Sequence, residues 1–306
     1  MISWRYHLVS IIAVFLALAL GVLAGTAVVN QGLVHNLQST TDRLTKETQD
    51  YRAKISEITT ENRNLTDFSD QAMNVIANLR LDQVDVVLVT DEGADPAAID
   101  EARTALLAAG ATVVTTLIPL PKVFSADPAD QKLLANVIGA PAQTDPSLLP
   151  GLLAQTLAGR LAQGPPPQVR PGQQDVLGTL LSTGFIDSTE PGVRSAMDLG
   201  VPGAVVVVGG PTEGSSMPPA GFMVPLVQAL SVQRMVVAAG EADAAPGGFV
   251  YLVRNDGAGE GPRLTVDDLQ GSLGGTALVV GLQRGIEQGT GGDYGTASGQ
   301  LLPPLS

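Results

Sequence analysis

Val84–Ile118, which reads VDVVLVTDEGADPAAIDEARTALLAAGATVVTTLI, contains a strand, a helix and a second strand within 35 residues. The first strand is the aliphatic, β-branched run Val84–Thr90, and the second is Ala111–Ile118. Between them, Ala97–Ala109 has the composition of a helix that stops at Gly110. Because two strands joined by a helical crossover pair in parallel, this stretch predicts a parallel sheet.

The remaining chain continues this alternation of strands and helices. Apolar runs predict further strands, and longer periodic segments predict helices; the strands are Ala204–Val208, Met235–Ala238 and Phe249–Val253, and the helices are Gln173–Ser182, Phe222–Val232, Gly275–Gln288 and, in pieces broken by prolines, Asp127–Leu161. Continuous apolar strands are typical of a sheet covered on both faces. We therefore predict an α/β three-layer domain with a mainly parallel sheet over residues 83–288. Residues 289–306 lack periodicity and are predicted to be a flexible C-terminal tail.

The N-terminal region contains the uncharged apolar run Leu8–Val29, 22 residues long. As a helix it reaches about 33 Å, enough to cross the hydrocarbon core of a bilayer. Arg5 precedes the run and the next charge is Asp42, an asymmetry that predicts a cytoplasmic N-terminus and an extracytoplasmic C-terminal domain. Residues 1–30 are thus predicted to be a single-pass anchor in contact with the lipid bilayer. A signal peptide cleaved near Ala24–Thr26 is the alternative, although signal peptides usually have a shorter apolar region.

Residues 31–82 are predicted to form a long polar stalk helix. Apolar residues recur in it at every seventh position: Leu37, Leu44, Tyr51, Ile58, Leu65, Ala72 and Leu79. With these at heptad position a, position d is polar at Thr40, Glu47, Lys54 and Glu61 and apolar only at Phe68 and Val75. The pattern predicts a loose coiled coil, and hence a homo-oligomer through the stalk. A single solvated helix is the alternative.

Composition limits the partners of the globular part. The chain has no cysteine and a net charge of −13, and residues 84–306 carry ten Lys and Arg against 22 Asp and Glu. An exported domain without cysteine relies on its core, because it has no disulfides. An acidic domain repels nucleic acid and anionic lipid headgroups, so neither is expected as a partner.

Three predicted loops that follow strands are acidic and rich in glycine. If their strands are parallel neighbours, the loops meet at one edge of the sheet. We call this predicted cluster the acidic crest; it consists of Asp91, Glu92, Glu213, Glu241 and Asp243. Carboxylates suit hard cations such as Mg²⁺ or Ca²⁺ better than Cu⁺. The alternatives are solvated loop carboxylates and, at Gly209-Gly210, a phosphate-binding nest.

No enzymatic activity is expected from the sequence. The two histidines, His7 and His35, flank the apolar run, and no cysteine nucleophile is present. Asp267-Asp268 has the composition of an acid–base pair but more often such a pair caps a helix or turn. Met217 and Met223 are close enough in sequence to suggest a thioether copper site, although filling of the core is the more ordinary role of methionine.

Several motifs together resemble a known family. They are MISWRYHLVS at residues 1–10, AVFLALA at 13–19, GVLAG at 21–25, TGFI at 183–186, VVVVGG at 205–210, TVDD at 265–268 and GDYGT at 292–296. In this order they resemble the mycobacterial-type copper transporter proteins, an actinobacterial group of single-anchor envelope proteins. The resemblance implies a role in copper homeostasis, either copper efflux or the maintenance of low intracellular copper. It implies copper as a bound ion, but no copper-ligand motif is carried over to residues of this chain.

Two functions follow from these observations. The first is the copper homeostasis that the resemblance implies. Because one membrane helix does not enclose a pore, transport then requires an oligomer or other envelope proteins. The second is a structural or interaction protein of the envelope, which presents an acidic α/β domain on a helical stalk without transporting copper itself.

Overall fold

The computed structural model describes residues 4–76, 80–166, 175–189, 199–210, 217–241, 246–255, 261–271 and 273–303, with side chains given outside 26–34 and 69–76. The chain divides into two compact units, Met1–Leu65 and Thr66–Ser306.

The described part of the first unit belongs to one long helix, which continues past Leu65. Helix α1 spans Trp4–Ile76 and has 73 residues. Its segment Trp4–Gly25 has a mean hydropathy of 2.7 and is long enough to cross a membrane, which agrees with the predicted apolar run. The sequence predicts a stalk helix over residues 31–82. In the structure, residues 80–83 form a turn instead, and Leu81 is buried in the core of the second unit.

The second unit contains a seven-stranded sheet. Its strands are β1 Asp85–Thr90, β2 Thr112–Pro119, β3 Ile186–Ser188, β4 Ala204–Gly209, β5 Val236–Gly240, β6 Arg263–Val266 and β7 Gly292–Tyr294. Their order is β3-β2-β1-β4-β5-β6-β7, and every neighbouring pair is parallel except β2 and β3. The predicted fold class, α/β with a mainly parallel sheet, is confirmed.

Helices cover both faces of this sheet. They are α2 Pro96–Ala108, α3 Pro128–Ile138, α4 Leu149–Gln163, α5 Val176–Thr183, α6 Met223–Ser231, α7 Phe249–Asn255 and α8 Gly274–Gln288. In β1, Val86 and Leu88 join a core cluster with residues of α2 and α8. Val87 and Val89 point the other way and join a cluster with residues of α4, α6 and α7. The alternation of side chains along each strand thus produces two apolar layers.

Aspartate–proline pairs begin two of these helices. The Asp95 carboxylate accepts the N–H of Ala97 at 2.8 Å, and the Asp127 carboxylate accepts the N–H of Ala129 at 2.8 Å. In each case a proline occupies the first helical position, where its missing N–H removes no helical hydrogen bond. The beginnings of α2 and α3 are therefore determined locally.

Two predictions about this unit are wrong. Phe249–Val253, predicted as a strand, lies in α7, because a short apolar run buries equally well on a helix. The segment predicted as a flexible tail contributes β7, which pairs with β6 and buries Tyr294. The edge of the sheet supplies the backbone partners that this aperiodic segment lacks by itself.

Candidate functional site

The carboxyl ends of β1 and β4 border the position where the direction of winding changes. After β1 the chain enters α2 on one face of the sheet, and after β4 it enters α6 on the other. Neighbouring strands whose crossovers leave in opposite directions open a crevice between their following loops, where ligands bind in open α/β sheets. The candidate site is therefore the edge formed by residues 90–94 and Gly209-Gly210.

Asp91 is buried at the centre of this edge. Its side chain follows β1 and the residue is 3 % exposed. Burial raises the pKa of Asp91, and the negative charge of Glu241 raises it further, while backbone N–H groups of Gly210, Gly93 and Ala94 act in the opposite direction. Among the described residues, the Asp91 Oδ1 atom has no hydrogen-bond partner. A partly satisfied buried carboxyl group is suited to bind a cation or a hydrogen-bond donor.

Gly210 brings the two loops of the site into contact. A Cβ atom at this position would overlap the carbonyl of Gly93. The absence of a side chain lets the backbone after β4 approach the backbone after β1, and so places its N–H group near the Asp91 carboxylate. The glycine pair that suggested a phosphate nest thus borders a buried carboxyl group, which disfavours a bound anion.

The acidic crest is only partly within the described residues. The structure brings Asp91 and Glu241 near enough to interact electrostatically, whereas Glu92 is exposed to solvent. Glu213 and Asp243 lie outside the described residues. Among the residues that are described, no group of three or more His, Cys, Asp or Glu side chains is placed to hold a metal ion. The hard-cation site therefore stays a prediction.

The Asp267-Asp268 pair has a structural arrangement. Asp267 is fully buried, and its Oδ2 atom accepts a hydrogen bond from Arg254 Nη1 at 2.7 Å. Its Oδ1 atom accepts the Thr296 hydroxyl at 3.1 Å and the Ala297 N–H at 3.0 Å. Both carboxylate oxygens are thus engaged in joining β6 to the segment after β7.

Asp268, the second member of this pair, has a left-handed backbone conformation, with φ of 55°. Burial raises the pKa of Asp268, and the charge of Asp267 raises it further. The Asp268 N–H donates to the Glu241 carbonyl at 3.2 Å, so the backbone here connects the loops after β5 and β6. The predicted capping or turn role fits this geometry.

Arg254 is the central residue of this network, and the sequence analysis missed it. Its guanidinium donates to Asp267, to the Thr265 hydroxyl at 2.7 Å and to the Tyr294 carbonyl at 2.8 Å. The Thr265 hydroxyl in turn donates to Asp293 at 2.8 Å. The signal was hidden because the residues before Arg254 were interpreted as a strand rather than as helix α7.

Two other candidate regions lie elsewhere. Met217 and Met223 are 2 % and 1 % exposed and fill the apolar core, as expected for the ordinary role of methionine. A cavity of about 340 Å³ lies beside the 3₁₀ turn Pro121–Phe124, bordered by α3 and the start of α4. Polar groups of its wall bind one another: Lys122 Nζ lies 3.5 Å from Asp130, which also accepts the Ser125 hydroxyl at 2.8 Å.

Fold and site together define a class: a doubly wound α/β protein with one apolar, membrane-length N-terminal helix. The family described as copper transport outer membrane protein, MctB, matches residues 1–303, and this chain belongs to that family. Two similar proteins are the copper transporter MctB of Mycobacterium bovis and that of Mycobacterium tuberculosis. Each is 29 % identical over 337 aligned residues that cover 100 % of both chains. The predicted family resemblance is confirmed over the whole chain.

Proposed function

We propose that this protein is a membrane-anchored envelope protein of copper homeostasis that lowers intracellular copper through efflux. The observation that carries the proposal is the full-length match to a copper transport family. The apolar segment Trp4–Gly25 supports membrane association. Copper in this proposal is the cargo, not a resident cofactor.

The orientation we propose has the N-terminus in the cytoplasm and the α/β domain outside it. Arg5 precedes the apolar segment, and no charged residue follows until Asp42. A reporter that is active only outside the cytoplasm, fused after Leu305, is expected to be active. Activity of a cytoplasm-specific reporter at the same position would contradict the orientation. Mass spectrometry of the mature protein separates an uncleaved anchor from a cleaved signal peptide.

The ligand chemistry of the α/β domain favours transport through an assembly. Residues 66–306 contain neither histidine nor cysteine, the side chains that bind copper most readily besides methionine. One helix does not enclose a pathway for an ion. We therefore infer that the protein acts with further copies or with other envelope proteins.

We also infer that its role is not enzymatic. This inference is supported by the hydrogen bonds that engage Asp267 in holding the fold together.

The decisive experiment compares the copper tolerance of a strain without this gene with that of its parent. We expect the deletion strain to accumulate intracellular copper, measured by elemental mass spectrometry, and to stop growing at lower copper than the parent. Full-length protein is expected to restore tolerance. A Leu16→Arg variant, with a charge in the middle of the apolar segment, is expected to fail, whereas its matched control Leu16→Val restores tolerance.

A structural or interaction role without copper transport is the second candidate. The observation that favours it is the row of exposed apolar side chains on α1, which suits contacts with another protein. An envelope defect in the deletion strain, with unchanged copper content and tolerance, would support this role and contradict the first.

A further inference from the structure

Helix α1 has an apolar stripe whose side chains are exposed. Its members are Leu37, Leu44, Tyr51, Ile58 and Leu65, which are between 49 % and 68 % exposed. In proteins, most of the stability of a helix comes from the packing of an amphipathic face. An exposed apolar stripe of this length therefore favours a partner surface.

The residues beside this apolar stripe determine which partner surface fits it. The heptad assigned from sequence placed Glu47, Lys54 and Glu61 in the seam, three residues after each apolar position. Four residues after each apolar position the helix carries no charge, and the residues there are Thr41, Thr48, Ile55 and Asn62. Since residues three and four apart share a helix face, the two uncharged rows form one stripe with alternating spacings of four and three.

We propose that this stripe is the seam of a parallel, two-stranded coiled coil with a second copy of the same chain. Thr41, Thr48, Ile55 and Asn62 occupy position a, and Leu37, Leu44, Tyr51, Ile58 and Leu65 occupy position d. Position a carries Ile55 and two β-branched threonines, and three of the five d residues are leucine. Ile or Val at a with Leu at d favours two strands, and Ile55 fits that pattern.

Asn62 and two charged residues determine the register. A single asparagine at position a specifies the register and the oligomeric state of a coiled coil. In this register Glu47 occupies position g and Arg52 occupies position e. These positions form interhelical ion pairs, so Glu47 faces Arg52 of the partner subunit, twice by symmetry.

Disulfide formation tests the seam directly, because the chain contains no cysteine. In the full-length protein, single variants Leu44→Cys, Ile55→Cys and Leu65→Cys are expected to form intermolecular disulfides under mild oxidation. The matched control Ala53→Cys places the thiol on the opposite face and is expected to remain at least tenfold less cross-linked. Thermal unfolding of the α/β domain serves as the control for folding.

Three results would overturn the proposal. Efficient cross-linking of Lys54→Cys with little at Ile55→Cys would restore the seam first assigned from sequence. Cross-linking at only one of positions 44, 55 and 65 would indicate an antiparallel pair, since only a parallel pair brings each residue against its own copy along the whole helix. An absence of cross-links at every position would leave the helix monomeric.

A charge exchange tests the register separately. Glu47→Lys is expected to weaken self-association about tenfold at low salt, since it faces Arg52 of the partner subunit, and Arg52→Glu is expected to do the same. The double variant Glu47→Lys with Arg52→Glu is expected to recover wild-type association. Equal weakening in the double variant would show that these residues do not pair.

Discussion

Apolar side chains are exposed on helix α1 but buried in strand β4. All six residues of β4 are buried between helices of their own chain. On α1, Leu44 is 52 % exposed and Leu65 is 58 % exposed, although both are as apolar as any core residue. The α/β domain buries most of its apolar side chains internally, whereas those of the helix are exposed. We therefore expect substitutions in the domain to change its stability and substitutions on the helix to change association.

The largest expected effect comes from placing an aspartate in each region, which separates stability from association. Val206→Asp in β4 puts an unpaired charge into the core and is expected to destabilise the domain by at least about 4 kcal/mol. Leu44→Asp on α1 is expected to change the domain's free energy of unfolding by less than about 0.5 kcal/mol, yet to abolish self-association. Denaturant unfolding and analytical ultracentrifugation measure the two quantities. A destabilised domain in Leu44→Asp would break the comparison.

The second largest effect concerns ion pairs, whose contributions to stability are expected to differ between the two regions. Arg160 and Asp175 lie 2.6 Å apart with both side chains buried, and Arg160 also donates to the Leu199 carbonyl at 3.1 Å. Arg160→Ala leaves a buried carboxylate unpaired and is expected to cost about 3 kcal/mol. Arg43→Ala removes the exposed partner of Glu47 and is expected to lower the free energy of unfolding by at most about 0.5 kcal/mol. If both substitutions lowered the free energy of unfolding equally, burial would not explain the strength of these ion pairs.

A smaller effect concerns the pH dependence of the domain. Because the pKa of Asp91 is raised by burial, its stabilising contribution is complete below the ordinary aspartate range and is lost as pH rises through the raised value. The isosteric variant Asp91→Asn cannot ionise, so its melting temperature relative to wild type is expected to increase between pH 4 and pH 7. Glu241→Gln, which removes only the neighbouring charge, is expected to give a weaker change in the same direction. A difference independent of pH would refute the assignment.

The smallest expected effect is that of cations on the acidic crest. A hard cation bound near Asp91 and Glu241 would stabilise the folded domain by mass action, by about 1.4 kcal/mol at ten times its dissociation constant. Millimolar Mg²⁺ or Ca²⁺ is therefore expected to raise the melting temperature of the full-length protein. The double variant Asp91→Asn with Glu241→Gln is expected to lose this response. An equal shift in both proteins would assign it to nonspecific screening.

Local patterns predicted much of the fold because they report burial. The alternation in Val84–Ile118 correctly predicted β1, α2 and β2, and the aliphatic runs at β4 and β5 predicted buried strands. The same reasoning failed for α7, where five apolar residues fit a helix and a strand equally well. It also missed β7, which has only three residues and depends on its neighbour β6.

The candidate site shows where sequence reasoning reaches its limit. Loop composition predicted that Asp91 and Glu241 lie at one edge of the sheet with the other crest residues, and the charge of Glu241 is one cause of the raised pKa of Asp91, after burial. No pattern revealed that Asp91 is buried against Gly210 or that Arg254 joins Asp267 to Tyr294. These contacts connect residues separated by 13 to 119 positions, and their formation depends on the order of the strands.

The sequence by itself determined the fold class, the apolar N-terminal helix and the family, because composition, periodicity and motifs are properties of neighbouring residues. Only the tertiary structure decided the order of the strands, the end of α1 before Leu81 and the role of Asp267. The physical reason is that a buried polar group needs specific partners, and in this chain those partners come from distant segments that meet only when the sheet is assembled.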